Sequence, residues 1–262
     1  MIKFDNILEE KDYTTKFVFI TSSYNQSQFV EKNLESIKNQ NYPKNLWRVI
    51  YINDASNDST VDICKKFIKE NSDIQFQLIS NRNNMGPAYS RHLGYNRCFE
   101  DEVCVFLDGD DYLADENVLS IVSWVYKNYQ IDATFGSFIQ GEEWQYRLWG
   151  EYDRKNIRGE DCNFFPHLRT VKAKICKMVP ESYLKYNGEW LKFMTDGALF
   201  TSVVELAKNY AFIPNLLVDY NLHNSETNSE RGYRKGLKNV EQRNQRNIYS
   251  KHLKNLSPLK KR

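Results

Sequence analysis

The sequence predicts an α/β fold built on a mostly parallel sheet with helices on both faces. Apolar strand-like runs alternate with helical patterns four times in the first part of the chain, which is typical of parallel sheets. Three of these strands end in polar clusters, and ligands bind where such ends converge. The chain has 262 residues, 41% of them hydrophobic and 14% aromatic, enough for a sizeable packed core.

The first strand is predicted at residues 16–25, where β-branched and aromatic residues are followed by turn-forming ones. The next segment, 26–40, has apolar residues at helical spacing and predicts a helix. The same alternation then continues, with strands expected at 48–54, 74–81 and 102–111 and helices expected at 56–71 and 86–99.

The pattern weakens beyond about residue 136, and no linker or repeat marks a domain boundary. We therefore expect four regions: an N-terminal arm (1–15), a ligand-binding half (16–135), a second half of the same domain (136–235), and a C-terminal helix with a basic tail (236–262). Four local predictions fall in this part of the chain: a loop-rich or mixed segment at 141–167, a strand or short helix at 170–179, an amphipathic helix at 196–210, and a strand pair or extended segment at 211–223.

Charge and composition exclude several classes of protein. With 36 basic and 34 acidic residues, the net charge of +2 argues against a general nucleic-acid binder. No segment is apolar enough to span a membrane, so a cytoplasmic protein is expected. The tail "LKKR" either contacts an acidic lipid surface or ends a solvated polar helix. The five cysteines show no paired spacing and predict free thiols: Cys64, Cys98, Cys104, Cys162 and Cys176.

The segment "CVFLDGDDYLADE" (104–116) places Asp108, Asp110 and Asp111 directly after an apolar run. Like charges at this spacing repel, and a bound cation or a proton would relieve the repulsion. The pair Asp108 and Asp110 suits Mn²⁺ or Mg²⁺, which prefer oxygen ligands. Alternatively, Asp110 and Asp111 form a turn and an N-cap before a helix expected at 115–128.

Two further strand ends carry residues suited to a nucleotide. Asp54 can accept a hydrogen bond from a base or ribose, and Tyr24 can stack on a base. Alternatively, Asp54 caps a helix and Tyr24 packs in the core. The chain contains neither a P-loop nor a GxGxxG motif, so neither of those phosphate-binding devices is supported.

Four motifs together identify a family. They are a Tyr-Asn pair closing the first strand, the turn "DASNDST", the segment "NMGPAYSRHLG" and the Asp-x-Asp of "DGDD". In this order, over residues 16 to about 115, they resemble family 2 glycosyltransferases with the GT-A fold. Downstream, "PHLRTVKAKICKMVP", "MTDGALF" and "LLVDYNLHNSETN" look like the acceptor half of such enzymes.

The resemblance implies roles for individual residues. It implies Asp196 as the catalytic base, although "TDGALF" also fits a helix N-cap. It implies a metal ion held by Asp108 and Asp110, with His223 as a further ligand or as an ordinary packed or surface histidine. The nucleotide-binding residues expected on this basis are Thr21, Tyr24, Asp54, Asn81, Arg91, Asp108 and Gly109.

The implied reaction moves a sugar, with inversion, from a nucleotide-diphosphate sugar to a hydroxyl group on a glycan, protein or lipid. A UDP-linked donor and Mn²⁺ or Mg²⁺ are expected. A sugar-phosphate nucleotidyltransferase is a weaker alternative, because "TSSYNQSQF" has no glycine or lysine to hold a triphosphate. A non-catalytic binding module for carbohydrate or nucleotide sugar is the alternative outside enzymes.

Overall fold

A computed structural model describes residues 13–140, 143–145, 157–158, 165–221 and 238–259. The predicted N-terminal arm is therefore described only from Tyr13 onward, and residues 260–262 of the basic tail lie outside these ranges. His223 and Cys162 also fall outside the described residues.

Strands and helices alternate through the first half, as the sequence predicts. The fourth strand ends at Phe106, earlier than expected, so the residues of "DGDD" lie in the loop after it. The elements are β1 (Lys16–Ser23), α1 (Ser27–Lys38), β2 (Trp47–Asn53), α2 (Thr60–Glu70), β3 (Phe76–Ser80), α3 (Pro87–Asn96) and β4 (Glu102–Phe106).

The second half mixes short and long elements. The segment 170–179, predicted as a strand or a short helix, contains the end of a strand followed by a short helix. The segment 211–223, predicted as a strand pair or an extended segment, lies mostly in one long strand. The elements are β5 (Tyr112–Leu113), α4 (Val118–Tyr129), β6 (Ala133–Gln140), β7 (Glu143–Gln145), β8 (Arg169–Lys172), α5 (Ala173–Lys177), β9 (Lys185–Tyr186), β10 (Glu189–Trp190), α6 (Thr195–Leu206), β11 (Tyr210–Tyr220) and α7 (Lys238–Asn255).

The main sheet of the described chain has nine strands in the order β3-β2-β1-β4-β8-β6-β11-β5, with β7 paired to β6. Strands β1 to β4 are mutually parallel, and β6 is parallel to β11. Strand β8 runs antiparallel between β4 and β6. It therefore joins the two halves of the chain into one continuous sheet.

Both faces of the sheet are covered by apolar residues, because successive side chains along a strand point to opposite sides. Val18 and Ile20 of β1 pack into one buried cluster with residues of α3, α5 and α6. Phe17 and Phe19 of the same strand pack into a second cluster with residues of α1, α2 and α4. This arrangement confirms the predicted sheet with helices on both faces.

Helix α3 approaches the sheet closely at Gly94. A Cβ atom there would lie 2.5 Å from Cγ2 of Ile20 on β1. Only glycine therefore allows this approach, which brings the helix that carries Arg91 down onto the strands.

Helix α6 is anchored at its last turn by a buried ion pair. Arg158 donates from Nε and Nη2 to the two carboxylate oxygens of Glu205, at 2.7 and 2.6 Å. Arg158 Nη1 also donates to the carbonyl of Leu253 in α7, and the backbone N–H of Leu259 donates to Glu205 Oε2 at 2.9 Å. Segments from three parts of the chain therefore meet at the end of this helix.

The four cysteines in the described ranges, Cys64, Cys98, Cys104 and Cys176, are buried and free. This confirms the prediction of free thiols for these four residues. Burial raises the pKa of the Cys64 thiol to about 12, so this group stays protonated at neutral pH.

Among the described helices, none offers an apolar stretch of the length that a bilayer crossing demands. A crossing takes about 20 predominantly apolar residues. The longest of these helices, α7, has 18 residues and is largely polar in sequence. The cytoplasmic location and the membrane contact of the tail stay predictions.

Candidate active site

The polar ends of the parallel strands meet at one edge of the sheet. The backbone N–H of Asp54, after β2, donates to the carbonyl of Ser23 at the end of β1, at 2.9 Å. The N–H of Asn81, after β3, donates to the carbonyl of Asn53 at 2.9 Å. The N–H of Gly109, after β4, donates to a carbonyl at the end of β1 at 3.1 Å. The predicted convergence of these strand ends is therefore observed.

The "DGDD" loop is held tightly against β1 and α1. A Cβ atom at Gly109 would lie 2.7 Å from Cβ of Ser23, so no side chain fits there. The side chain of Asn33 in α1 donates to the carbonyls of Asp108 and Asp111, at 3.1 and 2.7 Å. These contacts fix the loop and the directions of its carboxylates.

The alternative of an N-cap formed by this loop is wrong. Helix α4 begins only at Val118, and its N-cap residue is Asn117. The N–H of Asp111 does donate to the carbonyl of Asp108 at 3.0 Å, so the residues form a turn. The loop turns the chain, but its carboxylates are not used to cap the helix.

Asp54 organises the start of α3. Its Oδ1 accepts from the side chain of Asn81 at 2.7 Å and from the N–H of Met85 at 2.9 Å, and its Oδ2 accepts from the N–H of Gly86 at 2.7 Å. Gly86 has φ +86°, a conformation that favours glycine. Asp54 is thus buried and shapes the turn before α3, while its contact with a nucleotide stays a prediction.

Tyr24 and Thr21 differ in accessibility. Tyr24, just beyond the end of β1, is 41% exposed, so the alternative that it packs in the core is wrong. Thr21 is fully buried inside β1. Of these two predicted nucleotide contacts, Tyr24 is the one placed where a ligand can reach its side chain.

Arg91 connects Asp108, a predicted metal ligand, to Asp196, the predicted base. This side chain of α3 is 6% exposed, and its Nη2 donates to Asp108 Oδ1 at 2.8 Å. Its Nη1 lies 2.6 Å from Asp196 Oδ1 and donates to Thr195 Oγ1, also at 2.6 Å. The structure therefore brings together Arg91, Asp108 and Asp196, which the sequence predicts from three distant segments.

Asp196 lies in the first turn of α6, and its side chain is 34% exposed. The alternative of an N-cap is wrong here too, because the helix has Met194 at its N-cap position and no side-chain capping bond. The carboxylate instead faces two guanidinium groups, since its Oδ2 lies 3.0 Å from Nη2 of Arg169. Burial favours the neutral acid, but Arg169 and Arg91 together outweigh it and lower the pKa of Asp196.

Sequence reasoning missed Arg169 and His167, which lie on β8 and just before it. Arg169 Nη2 donates to His167 Nε2 at 2.6 Å. His167 is 6% exposed, and its ring contacts the rings of Phe138 and Tyr220. Both residues are visible in "PHLRTVKAK" as polar residues beside an apolar run. Their position next to Asp196 depends on the placement of β8, which no local pattern reveals.

His167 also faces the "DGDD" loop. Its Nδ1 lies 3.7 Å from Oδ2 of Asp111, and neither buried atom has a hydrogen-bond partner among the described residues. Burial, followed by the positive charge of Arg169, lowers the pKa of His167 to about 3, so the imidazole is neutral at pH 7. Burial and the neighbouring carboxylates of Asp110 and Asp108 raise the pKa of Asp111.

Within the described ranges, one group of side chains has the geometry to hold a metal ion. Ligand atoms of Asp108, Asp111 and His167 lie within 4.8 Å of one another. The carboxylates fit a hard divalent cation, because Asp111 Oδ2 is buried, unpaired and crowded by like charges. The histidine does not fit in this arrangement. Arginine only donates, so His167 Nε2 must accept, and its single hydrogen then sits on Nδ1, facing Asp111.

The metal ligands predicted from sequence are only partly described. Asp108 belongs to the group above, whereas Asp110, which is 6% exposed, does not. His223 lies outside the described residues. The roles of Asp110 and His223 as ligands therefore stay predictions.

Comparison with known proteins gives one family. The family model Glycosyl transferase family 2 matches residues 18–178. An uncharacterized glycosyltransferase of Haemophilus influenzae is 27% identical over 226 residues, which cover 80% of this chain and 66% of that protein. The poly(ribitol-phosphate) β-N-acetylglucosaminyltransferase TarS of Staphylococcus aureus is 28% identical over 110 residues, 42% of this chain and 19% of that protein. The chain thus spans less than two thirds of the length of each of these relatives.

Solved structures show the same fold. The structure of S. aureus TarS residues 1–349 with UDP matches with a TM-score of 0.65 at 16% identity, over 90% of this chain and 70% of that one. The mannosyltransferase PcManGT of Pyrobaculum calidifontis, with GDP-Man and Mn²⁺, matches with a TM-score of 0.63 at 16% identity, over 84% of this chain and 61% of that one. Both are glycosyltransferases, and the predicted GT-A architecture is confirmed.

Proposed function

The chain belongs to glycosyl transferase family 2, and from this premise we propose that it transfers a sugar from a nucleotide-diphosphate sugar to an acceptor hydroxyl group. One observation carries the proposal. Arg91 joins Asp108, at the sheet edge where a nucleotide sugar would bind, to Asp196, at the start of α6, through contacts of 2.8 and 2.6 Å. A carboxylate on the donor side and a carboxylate on the acceptor side are thereby held a few ångströms apart.

The proposed donor is a UDP-sugar. Two of the similar TarS structures contain UDP and UDP-GlcNAc, which supports a uridine nucleotide. Tyr24 is exposed beside the strand ends and can stack on the base, whose stacking on an aromatic ring is worth about 1–3 kcal/mol. Asn81 and Gly109 lie at the same edge, where the N–H of each donates to a carbonyl of a neighbouring strand, and both are proposed to line the nucleotide.

The proposed divalent cation is held by carboxylates of the "DGDD" loop, with Asp108 and Asp110 as ligands, the unpaired Oδ2 of Asp111 beside them, and His223 as a further ligand. When bound, such a cation neutralises charge on the leaving diphosphate. Mn²⁺ and Mg²⁺ both suit oxygen ligands, and the similar mannosyltransferase structure contains Mn²⁺.

The proposed base is Asp196. The acceptor oxygen forms a bond to the anomeric carbon while the bond from that carbon to the diphosphate oxygen breaks. The hydroxyl proton passes to Asp196, and the diphosphate leaves with the electron pair. Attack from the face opposite the leaving group inverts the configuration. Asp196 is ionised at neutral pH and so has a lone pair for this proton, although its lowered pKa makes it a weaker base than an ordinary aspartate.

The nucleotidyltransferase alternative finds no support in the loop after β1. Strand β1 ends at Ser23 and α1 begins at Ser27, so only three residues connect them. None of the three, Tyr24, Asn25 and Gln26, is a glycine or a lysine that could hold a triphosphate.

The test is a panel of nucleotide sugars incubated with Mn²⁺, with Mg²⁺ or with a chelator, with release of the nucleoside diphosphate as the readout. We expect slow hydrolysis of one UDP-sugar only when metal is present, and loss of hydrolysis in Asp110→Ala. The matched control is Asp62→Ala, an exposed carboxylate in the first turn of α2, which should hydrolyse as the parent protein does.

Two results would contradict the proposal. If no nucleotide sugar binds with any metal, the "DGDD" loop is only a turn. If a nucleotide sugar binds but neither hydrolysis nor transfer is ever detected, the chain is a binding module.

A further inference from the structure

We propose that Arg169 is a positioning residue that orients the carboxylate of Asp196 for proton transfer, and that His167 in turn fixes Arg169. The inference rests on the proposed function, because it assigns Arg169 a role only if Asp196 is the base. It concerns two residues of β8 and its approach for which neither the sequence motifs nor the family match supplies a role.

Arg169 is held from several sides. Its Nε donates to the carbonyl of Phe165 at 2.7 Å, and its Nη2 donates to His167 Nε2 at 2.6 Å. Its guanidinium lies over the ring of Phe200, 5.2 Å from the centroid. The side chain of Arg169 is only 5% exposed, and its Nη2 lies within reach of both His167 Nε2 and Asp196 Oδ2, at 2.6 and 3.0 Å.

The carboxylate of Asp196 forms ion pairs with two arginines, one at each oxygen. Arg91 Nη1 lies 2.6 Å from Oδ1 and Arg169 Nη2 lies 3.0 Å from Oδ2, so each oxygen faces one guanidinium in an ion pair, and Oδ1 accepts no hydrogen bond from the described residues. The two are not equivalent, because Arg91 also binds Asp108 and any change to it disturbs both carboxylates. Arg169 makes its ion pair in the described structure with Asp196, so changes to it affect the base more selectively than changes to Arg91 do.

His167 connects Arg169 to the "DGDD" loop, where the metal ion is proposed to bind. Its Nε2 accepts from Arg169, so its hydrogen lies on Nδ1 and faces Asp111 Oδ2 at 3.7 Å. The rings of Phe138 and Tyr220 hold the imidazole in place, at centroid distances of 5.7 and 5.3 Å. A chain of contacts thus runs from the "DGDD" loop through His167 and Arg169 to Asp196.

The cost of burying Arg169 supports a role beyond packing. Its Nη1 is buried without a hydrogen-bond partner among the described residues. A buried donor left unpaired is unfavourable, and a buried ion pair is often no more stable than apolar residues of similar volume. Orientation of a reacting carboxylate is a reason for an arginine here that packing does not supply.

The test compares Arg169→Gln and Arg169→Lys with Arg48→Gln as the control. Arg48 forms an ion pair with Glu102 at 2.8 Å, close to the 3.0 Å of the Arg169 pair, at the opposite ends of the strands from the site. We expect Arg169→Gln to lower kcat by up to about 10²-fold, the effect of misplacing a reacting group by about 1 Å. KM for the nucleotide sugar should change less than kcat, because the ion pair of Arg169 is with Asp196, while Asp108 and Asp111 feel only its charge at longer range. Arg169→Lys should recover part of kcat.

The control and a second variant separate positioning from other roles. Arg48→Gln should lower the melting temperature while kcat per folded molecule stays unchanged. His167→Gln places an amide oxygen where Nε2 accepts, and should retain Arg169 in place, most of kcat, and Mn²⁺ binding measured by titration with UDP present.

Three outcomes would each overturn a different claim: the positioning role of Arg169, the proposed function, or the part played by His167. A parent-like kcat in folded Arg169→Gln, together with an inactive Asp196→Asn, would overturn the positioning role while the proposed function stands. Parent-like transfer by Asp196→Asn would instead overturn the proposed function. Loss of Mn²⁺ binding in His167→Gln would make His167 a metal ligand and overturn its part in the proposal.

Discussion

Helix α6 carries an arginine–carboxylate contact at each end, and the two are built differently. At its last turn, Glu205 is 3% exposed, and both of its oxygens are taken by Arg158. At its first turn, Asp196 is 34% exposed, and each of its oxygens faces a different arginine. We call the last turn the closed end, because both oxygens of Glu205 are bound by Arg158. We call the first turn the open end, because part of the Asp196 carboxylate remains exposed to a ligand.

The surroundings of the two carboxylates differ in the same way. Glu205 Oε2 also accepts from the N–H of Leu259, which completes its hydrogen bonding. Near Asp196, by contrast, buried polar atoms of Arg169, His167 and Asp111 lack hydrogen-bond partners among the described residues. Because folding alone favours paired polar groups, the unpaired set supports the ligand site that we propose at this end of the helix.

Substitution at the open end should have the largest effect on the rate. Asp196→Asn keeps the size of the side chain and removes the base, so transfer should fall by about 10²–10⁴-fold. Thermal stability should fall as well, because the buried guanidinium of Arg169 loses its ion-pair partner, whereas Arg91 keeps Asp108. Steady-state kinetics with the preferred donor, beside a melting curve, measures both. A large loss of stability with little loss of rate would reverse the roles of the two ends.

Substitution at the closed end should affect stability instead. Glu205→Gln leaves the guanidinium of Arg158 buried without its counter-charge, which should cost about 3–5 kcal/mol in the free energy of unfolding. Denaturant unfolding followed by circular dichroism gives this value. The activity per folded molecule should be retained, and its disappearance would show that the two ends of α6 are coupled.

His167, one of these residues with an unpaired buried atom, should also affect how the stability of the protein depends on pH. This effect should be smaller than the two above. The pKa of His167 is about 3 in the folded chain, against an ordinary value of 6.5. Between these pH values the unfolded chain binds a proton that the folded chain does not, so stability falls as the pH falls through this window.

His167→Gln removes this contribution and should flatten the fall by up to about 1.4 kcal/mol per pH unit. The raised pKa of Asp111 acts in the opposite sense, but its carboxyl group is present in both proteins. Unfolding curves at several pH values between 6.5 and about 3 test the prediction. Equal slopes for the two proteins would show that His167 is already protonated in the folded state.

Much of the first half was predictable because its information is local. Alternating apolar runs mark β1 to β4, and a strand followed by carboxylates marks the "DGDD" loop. Arg91 and Asp196 were also identified, but only through resemblance to a family. From sequence patterns alone, Asp196 reads equally well as a helix cap, and that alternative fails because capping depends on backbone geometry that the residue types do not determine.

The remainder depends on contacts between distant segments. Strand β8 lies between β4 and β6, and this placement alone brings His167 and Arg169 to Asp111 and Asp196. A four-residue strand carries too little periodicity to reveal its neighbours.

The anchoring of α6 also bears on the order in which the protein is made. The parallel strands β1 to β4 lie between residues 16 and 106, far ahead of the C-terminal groups of this anchor. The helix that carries Asp196 is secured at its far end by the carbonyl of Leu253 and the N–H of Leu259. Those groups emerge long after β1 to β4, so a nascent chain can complete the anchor of α6 only once its C-terminal helix has been made.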